Sequence, residues 1–217
     1  MIKAVNIEKS YNSEKVLKGI SLEIEKGDFV SVMGKSGSGK STFINIIGGF
    51  LSPDSGSVYW SGKDIAALDD KNRAKLRSTA MGFVFQSYML IPTLSVRDNI
   101  LLPATLGNGV DQSTLEYVAQ LTSRLEIENM LSKYPSQLSG GQCQRAAIIR
   151  ALSYKPKAVI LDEPTGALDT HMETVVMELL KETNEALGTT IIQVTHSNKV
   201  ASYGKRIITI SDGELKL

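Results

Sequence analysis

Hydrophobic residues in the first sixty positions come in short runs separated by polar or glycine-containing breaks, the spacing of strands rather than helices. Ile2 to Ile7 forms the first run, Ile20, Leu22 and Ile24 alternate with polar neighbours, and Phe29 to Met33 reads as a buried strand. Val58-Tyr59-Trp60, between turns at Gly56 and Gly62, predicts another strand. Apolar strands return at Gly82 to Phe85, Ala158 to Leu161, Thr190 to Val194 and Ile207 to Ile210.

Helical spacing fills the gaps between the later strands. Thr42 to Ile47 predicts a helix directly after the third strand, and Asp69-Asp70 a cap for a helix whose basic residues Lys71, Arg73, Lys75 and Arg77 form a solvated face. Ser113 with Glu116, and Thr170 with Glu173, have capping-box spacing ahead of periodic apolar positions, and Gly188 marks a helix end. Strands alternating with helices indicate an α/β fold, whereas Ser87 to Ser153 carries helical pattern without a clear strand. The expected division is therefore a core of residues 1–86 and 154–217 with a helical subdomain, 87–153, inserted into it.

Composition narrows the class. A chain of 217 residues with 42% hydrophobic and 22% charged residues suits one globular domain. Its formal net charge of +1 leaves no basic surface of the kind nucleic-acid binding needs, so no nucleic-acid partner is expected. The single cysteine, Cys143, excludes an intrachain disulfide and any multi-cysteine metal site. No apolar run approaches the ~18 to 20 residues that cross a bilayer, so membrane contact is expected only through a partner.

Gly34-Lys35-Ser36-Gly37-Ser38-Gly39-Lys40-Ser41 matches a P-loop, with a strand before it and a helix from Thr42 after it. Glycines let the backbone fold tightly around an anion, so that amide N–H groups and the helix N-terminus point at phosphates. Lys40 adds a positive charge, and Ser41 offers a hydroxyl to Mg²⁺, a hard cation that prefers oxygen.

The strand Ala158 to Leu161 runs into Asp162-Glu163, placing two carboxylates at the C-terminal end of a buried strand, where α/β sheets bind ligands. In this Walker B arrangement Asp162 suits Mg²⁺ and Glu163 suits a general base acting on water. Leu138-Ser139-Gly140-Gly141-Gln142 opens a further helix: Ser139 and Gln142 have capping-box spacing, and the paired glycines make a second anion nest.

With that string the chain resembles the ABC ATPase family, over nearly all 217 residues and in the family's order. The resemblance implies a P-loop NTPase (RecA-like) core with an N-terminal antiparallel β subdomain and an inserted helical subdomain. It implies ATP and Mg²⁺ as ligands, and a homodimer in which Ser139, Gly140, Gly141 and Gln142 of one copy face the P-loop of the other across ATP. Tyr11 matches the aromatic that stacks on adenine and Gln86 the glutamine that contacts Mg²⁺ and water. Asp169 matches the loop that touches the partner copy, and His196 the histidine at the γ-phosphate. Cys143 departs from the long polar residue more common after the signature glutamine; it and His171 match no chemical role.

Gly82-Phe83-Val84-Phe85-Gln86, Asn99 to Pro103 and Glu163 to Asp169 are similar to the exporter-like group of macrolide, antimicrobial-peptide, bacitracin-resistance and lipoprotein-release ATPases. That likeness implies a peripheral ATPase on the cytoplasmic face of the membrane, beneath a transmembrane permease that Ser87 to Leu94 helps to bind. A sensor or regulatory module with little transport of its own is the rival expectation; a soluble ABC ATPase acting on DNA or ribosomes would carry a coiled-coil insertion or a second cassette.

Overall fold

The computed structural model describes residues 1–107 and 109–216. Its N-terminal hairpin outruns the apolar pattern. β1 (Ile2–Tyr11) and β2 (Glu14–Ile24) are joined through Asn12 and Ser13, both at positive φ, as a tight two-residue hairpin turn requires. Polar residues extend both strands because backbone pairing, not burial, holds the hairpin tip: Ser10 pairs with Lys15 and Tyr11 with Glu14. β3 (Phe29–Met33), α1 (Lys40–Ile47), β4 (Ser55–Trp60) and the short β5 (Lys63–Asp64) follow. β1, β2, β4 and β5 form an antiparallel sheet in the order β2-β1-β4-β5.

Asp69 accepts the Asn72 N–H to start α2 (Asp70–Ala80), which leads into β6 (Met81–Val84). Every described helix or strand from there to Ala158 is helical: α3 (Val96–Leu106), α4 (Gln112–Arg124), two 3₁₀ turns, and α5 (Gly140–Leu152). The chain then alternates through β7 (Ala158–Asp162), α6 (Thr170–Leu187), β8 (Thr190–Val194), α7 (Asn198–Ala201), β9 (Arg206–Ser211) and β10 (Glu214–Lys216).

Two expected caps move upstream. Asp111, not Ser113, accepts the Thr114 N–H that opens α4, and Asp169, not Thr170, accepts the Met172 N–H that opens α6. In each case an aspartate lies one or two residues earlier, and its carboxylate is a stronger acceptor for the exposed N–H groups and the helix dipole than a hydroxyl. The capping box of Ser139 and Gln142 forms as expected, and Gly188 ends α6 in the left-handed conformation.

The basic face of α2 is solvated at Lys71 and Lys75, but Arg77 departs from it. Its guanidinium lies 4.9 Å from the Phe50 ring centre and donates to the Gly49 carbonyl at 2.7 Å. The long side chain covers apolar surface while its charge finds a carbonyl.

The second sheet has the order β10-β9-β3-β8-β7-β6 and is parallel except for the β9–β10 hairpin. Alternate residues face opposite cores. Val30, Val32, Ile160, Ile192 and Val194 pack with Phe43 and Ile47 of α1 and with Ile2 and Trp60 of the antiparallel sheet. Phe29, Val159, Leu161 and Ile191 pack with Ile148 and Ile149 of α5 and Val176 and Leu180 of α6. Covering on both faces is why these strands read as unbroken apolar runs. It also leaves one place for chemistry, the edge where the parallel strands end.

Candidate functional site

Four parallel strands, β3, β8, β7 and β6, end at that edge, and each delivers candidate residues from the segment that follows. The P-loop follows β3, His196 follows β8, Glu163 follows β7 directly after Asp162, and Gln86 follows β6. They surround a cleft of ≈ 690 Å³.

The floor is backbone. Gly39 turns into α1 with φ 97°, and a Cβ there would sit 2.7 Å from the Leu17 side chain, so β2 presses directly on the loop and only glycine fits. Gly34, Ser36, Gly37, Gly39, Ser41 and Thr42 line the cleft. Ser38 lies beneath the loop, buried, with a hydroxyl that no protein group bonds. Lys40 is buried to 9% exposure, and its ammonium donates to the carbonyls of Gly34 at 2.8 Å and Lys35 at 2.7 Å. The loop thus holds its own cation at the cleft floor.

Two carboxylates occupy the opposite wall in different environments. Asp162 is 7% exposed, with the Ser41 hydroxyl and the Lys40 ammonium near enough to favour its charged form. Burial pushes its carboxyl above the ordinary aspartate range and the adjacent Glu163 charge adds to the rise, while Ser41 and Lys40 oppose it. Glu163 is more open and sits at φ 52°, a conformation rare for a residue with a side chain. Its carboxylate lies 3.0 Å from Nδ1 of His196. An ionised carboxylate only accepts, so Nδ1 carries the proton in that contact. Among the described residues no group of three or more His, Cys, Asp and Glu side chains is arranged to hold a metal ion.

Tyr11 lines the outer rim, 47% exposed, and Gln86 lines the wall. Gly166, Ala167 and Val194 also line it, as do Tyr88, from the segment expected to face the permease, and Val16 and Gln144, for which the pattern of residues gave no role. Gln144 carried a legible signal: on α5 it shares a helical face with the buried Ala147, Ile148 and Ala151, and a polar side chain in a buried stripe needs a partner.

Ser139, Gly140, Gly141 and Asp169 do not reach this cleft. They line a separate concavity of ≈ 440 Å³ with Glu126, Arg145 and His171. Gln142 turns back to accept the Ser139 N–H at 2.9 Å and close the capping box. Gly141 is packed so closely that a Cβ would lie 2.9 Å from the Ala167 carbonyl, fixing the start of α5 against the loop after Glu163.

Residues 17–166 match the ABC transporter family profile. The chain belongs to the ABC transporter family. It is 41% identical over 219 residues to the bacitracin export ATP-binding protein BceA of Halalkalibacterium halodurans, covering 99% of this chain and 87% of that protein. It is equally 41% identical to the macrolide export ATP-binding/permease protein MacB of Campylobacter jejuni, of which it covers only 33%. Among solved structures it resembles the dimeric ATP-binding cassette MJ0796 in a post-hydrolysis state with ADP and Pi, at 40% identity and a TM-score of 0.94 over 100% of this chain and 97% of that one. An ABC ATPase binds and hydrolyses ATP. Cys143 sits part-buried on α5 with its thiol pushed up by burial, away from the cleft lining.

Proposed function

We propose that this chain is the ATP-hydrolysing subunit of an ABC exporter, working as a head-to-tail homodimer on the cytoplasmic face of the membrane beneath a transmembrane permease. The observation that carries the dimer is the separation just described: the second glycine nest of one copy lines a concavity apart from that copy's own P-loop cleft. A triphosphate held by both nests would bridge two copies. Ser139, Gly140, Gly141 and Gln142 of one copy would close over the P-loop of the other, with Asp169 reaching the partner.

Within each site Tyr11 stacks on adenine, and the amides of Gly34, Ser36, Gly37, Ser38, Gly39 and Thr42 hold the phosphates. The Glu163 carboxylate takes the proton of the attacking water, and His196 and Lys40 stabilise the charge of the γ-phosphoryl. Ser41, Gln86 and Asp162 would hold Mg²⁺. They suit it, because a single buried carboxylate with a hydroxyl and an amide oxygen is the sparse all-oxygen set that Mg²⁺ accepts when phosphates and water complete its shell. When bound, that cation neutralises phosphate charge.

The helical subdomain, residues 87–153, carries the surface offered to the permease. Tyr88 and Leu90 pack into the helical core, whereas Met89 is 58% exposed and Ile91 37%. Among the described residues no helix is long and apolar enough to cross a membrane, so membrane contact would come through that partner. Relatives named for export of bacitracin, macrolides and pyoverdine support a peptide, drug or lipid-linked cargo.

Purifying the tagged chain from solubilised membranes and measuring steady-state phosphate release tests this. The expected result is a co-purifying transmembrane subunit and ATP turnover that rises with cargo. ATP binding without turnover in that complex would instead make the chain a regulatory module.

A further inference from the structure

Gln144 lies outside every motif assigned above, yet it is the side chain through which α5 holds the catalytic turn. It is 1% exposed. Its Nε2 donates to the Glu163 carbonyl at 2.7 Å and its Oε1 accepts the Ala167 N–H at 2.9 Å, so one amide clamps both ends of the turn from Glu163 to Ala167. The turn's internal bond to the Glu163 carbonyl, from the Gly166 N–H, is longer at 3.3 Å. The clamped residue is the one at φ 52°. A side-chain-bearing residue stays in that region only where its surroundings enforce it, and here the restraints are Gln144 on the carbonyl and the Val194 carbonyl accepting the Glu163 N–H at 3.0 Å.

We infer that Gln144 is a positioning residue for the hydrolytic reaction: it holds Glu163 in its left-handed conformation, aims the carboxylate at the attacking water, and ties that aim to the signature helix. This rests on Glu163 being the general base. The link to the signature helix is direct, because α5 starts at the Ser139–Gln142 capping box, little more than a turn before Gln144. Any shift of the start of α5 when its glycine nest engages the partner copy's nucleotide therefore pulls on the Glu163 backbone. A side chain released from the clamp can relax toward an ordinary φ, which swings the carboxylate away from the water while leaving the P-loop untouched.

Gln144→Met keeps the length and removes both hydrogen bonds; Gln144→Asn keeps an amide but shortens its reach, so that it cannot span both partners. Each is compared with the parent chain, with Glu163→Gln, and in combination with Glu163→Gln. The expected result is a fall in kcat of order 10²-fold, the scale of a misplacement of about 1 Å, with KM for ATP within about twofold of the parent. In the Glu163→Gln background Gln144→Met should cause no further loss of turnover, since both act through one carboxylate, and ATP-dependent dimer formation by gel filtration should persist. An unchanged kcat in either Gln144 variant, while Glu163→Gln is inactive, overturns the inference. So does an additive loss in the double variant, or a raised KM with the ATP-bound dimer gone, either of which assigns Gln144 a packing or dimer role. If Glu163→Gln alone retains parental turnover, the assignment of the base fails instead. Should Gln144→Met not fold, Gln144→Asn decides.

Discussion

Replacing Glu163 by glutamine removes a proton acceptor and little else. The change is isosteric, the backbone N–H still reaches the Val194 carbonyl at 3.0 Å, and the backbone carbonyl still accepts from Gln144 at 2.7 Å. The carboxamide oxygen can still accept from Nδ1 of His196 across the 3.0 Å contact. Folding and nucleotide binding therefore keep their contacts, and the repulsion that Glu163 exerts on Asp162 disappears. What is lost is general-base catalysis, worth ~10²- to 10⁴-fold. At ~1.36 kcal/mol per decade that raises the barrier by about 2.7 to 5.4 kcal/mol. The assay is phosphate release at saturating ATP, paired with gel filtration of the nucleotide-loaded protein. The expected outcome is that loss of turnover together with a stable ATP-bound dimer. Turnover within about twofold of the parent chain would refute the reasoning, because general-base catalysis cannot be that small.

Two further outcomes follow from the cleft. Tyr11 is 47% exposed, which puts the stacking on adenine proposed for it at the low end of ~1 to 3 kcal/mol, so Tyr11→Ala should raise the ATP Kd about 5- to 10-fold with kcat at saturation unchanged; equilibrium binding of a fluorescent ATP analogue measures it, and parental affinity would remove adenine from that rim. For Asp162 the sign is set by burial, which raises the folded pKa, so the charged form costs stability once pH rises above the ordinary aspartate range and the cost is complete above the folded pKa. Asp162→Asn should accordingly raise the thermal midpoint of the nucleotide-free protein at neutral pH, by a margin that closes as pH falls toward about 4, and abolish the stabilisation by ATP with Mg²⁺; a lower midpoint would contradict it.

Local pattern alone located the phosphate loop, both carboxylates and most strands, because each depends on neighbours within a few residues. Phe29–Met33 and Thr190–Val194 are strands over the predicted residues, since both faces are buried and the apolar run ends where the cover ends. The capping box at Ser139 was equally plain, while the caps of α4 and α6 slipped upstream because two acceptors competed for the same N–H groups, and their separation in sequence could not rank them.

Tertiary structure decided everything that needs strands to meet. β8 lies between β3 and β7, although it follows β7 in the chain, and that order alone puts His196 between the P-loop and Glu163. Strand order comes from how helices cover the two faces of the sheet, a property of the whole chain rather than of any segment. The same holds for Gln144, whose partners lie 19 and 23 residues away along the chain. A buried amide announces in sequence that it must be satisfied, but only the packing of α5 against the turn after β7 determines which groups satisfy it.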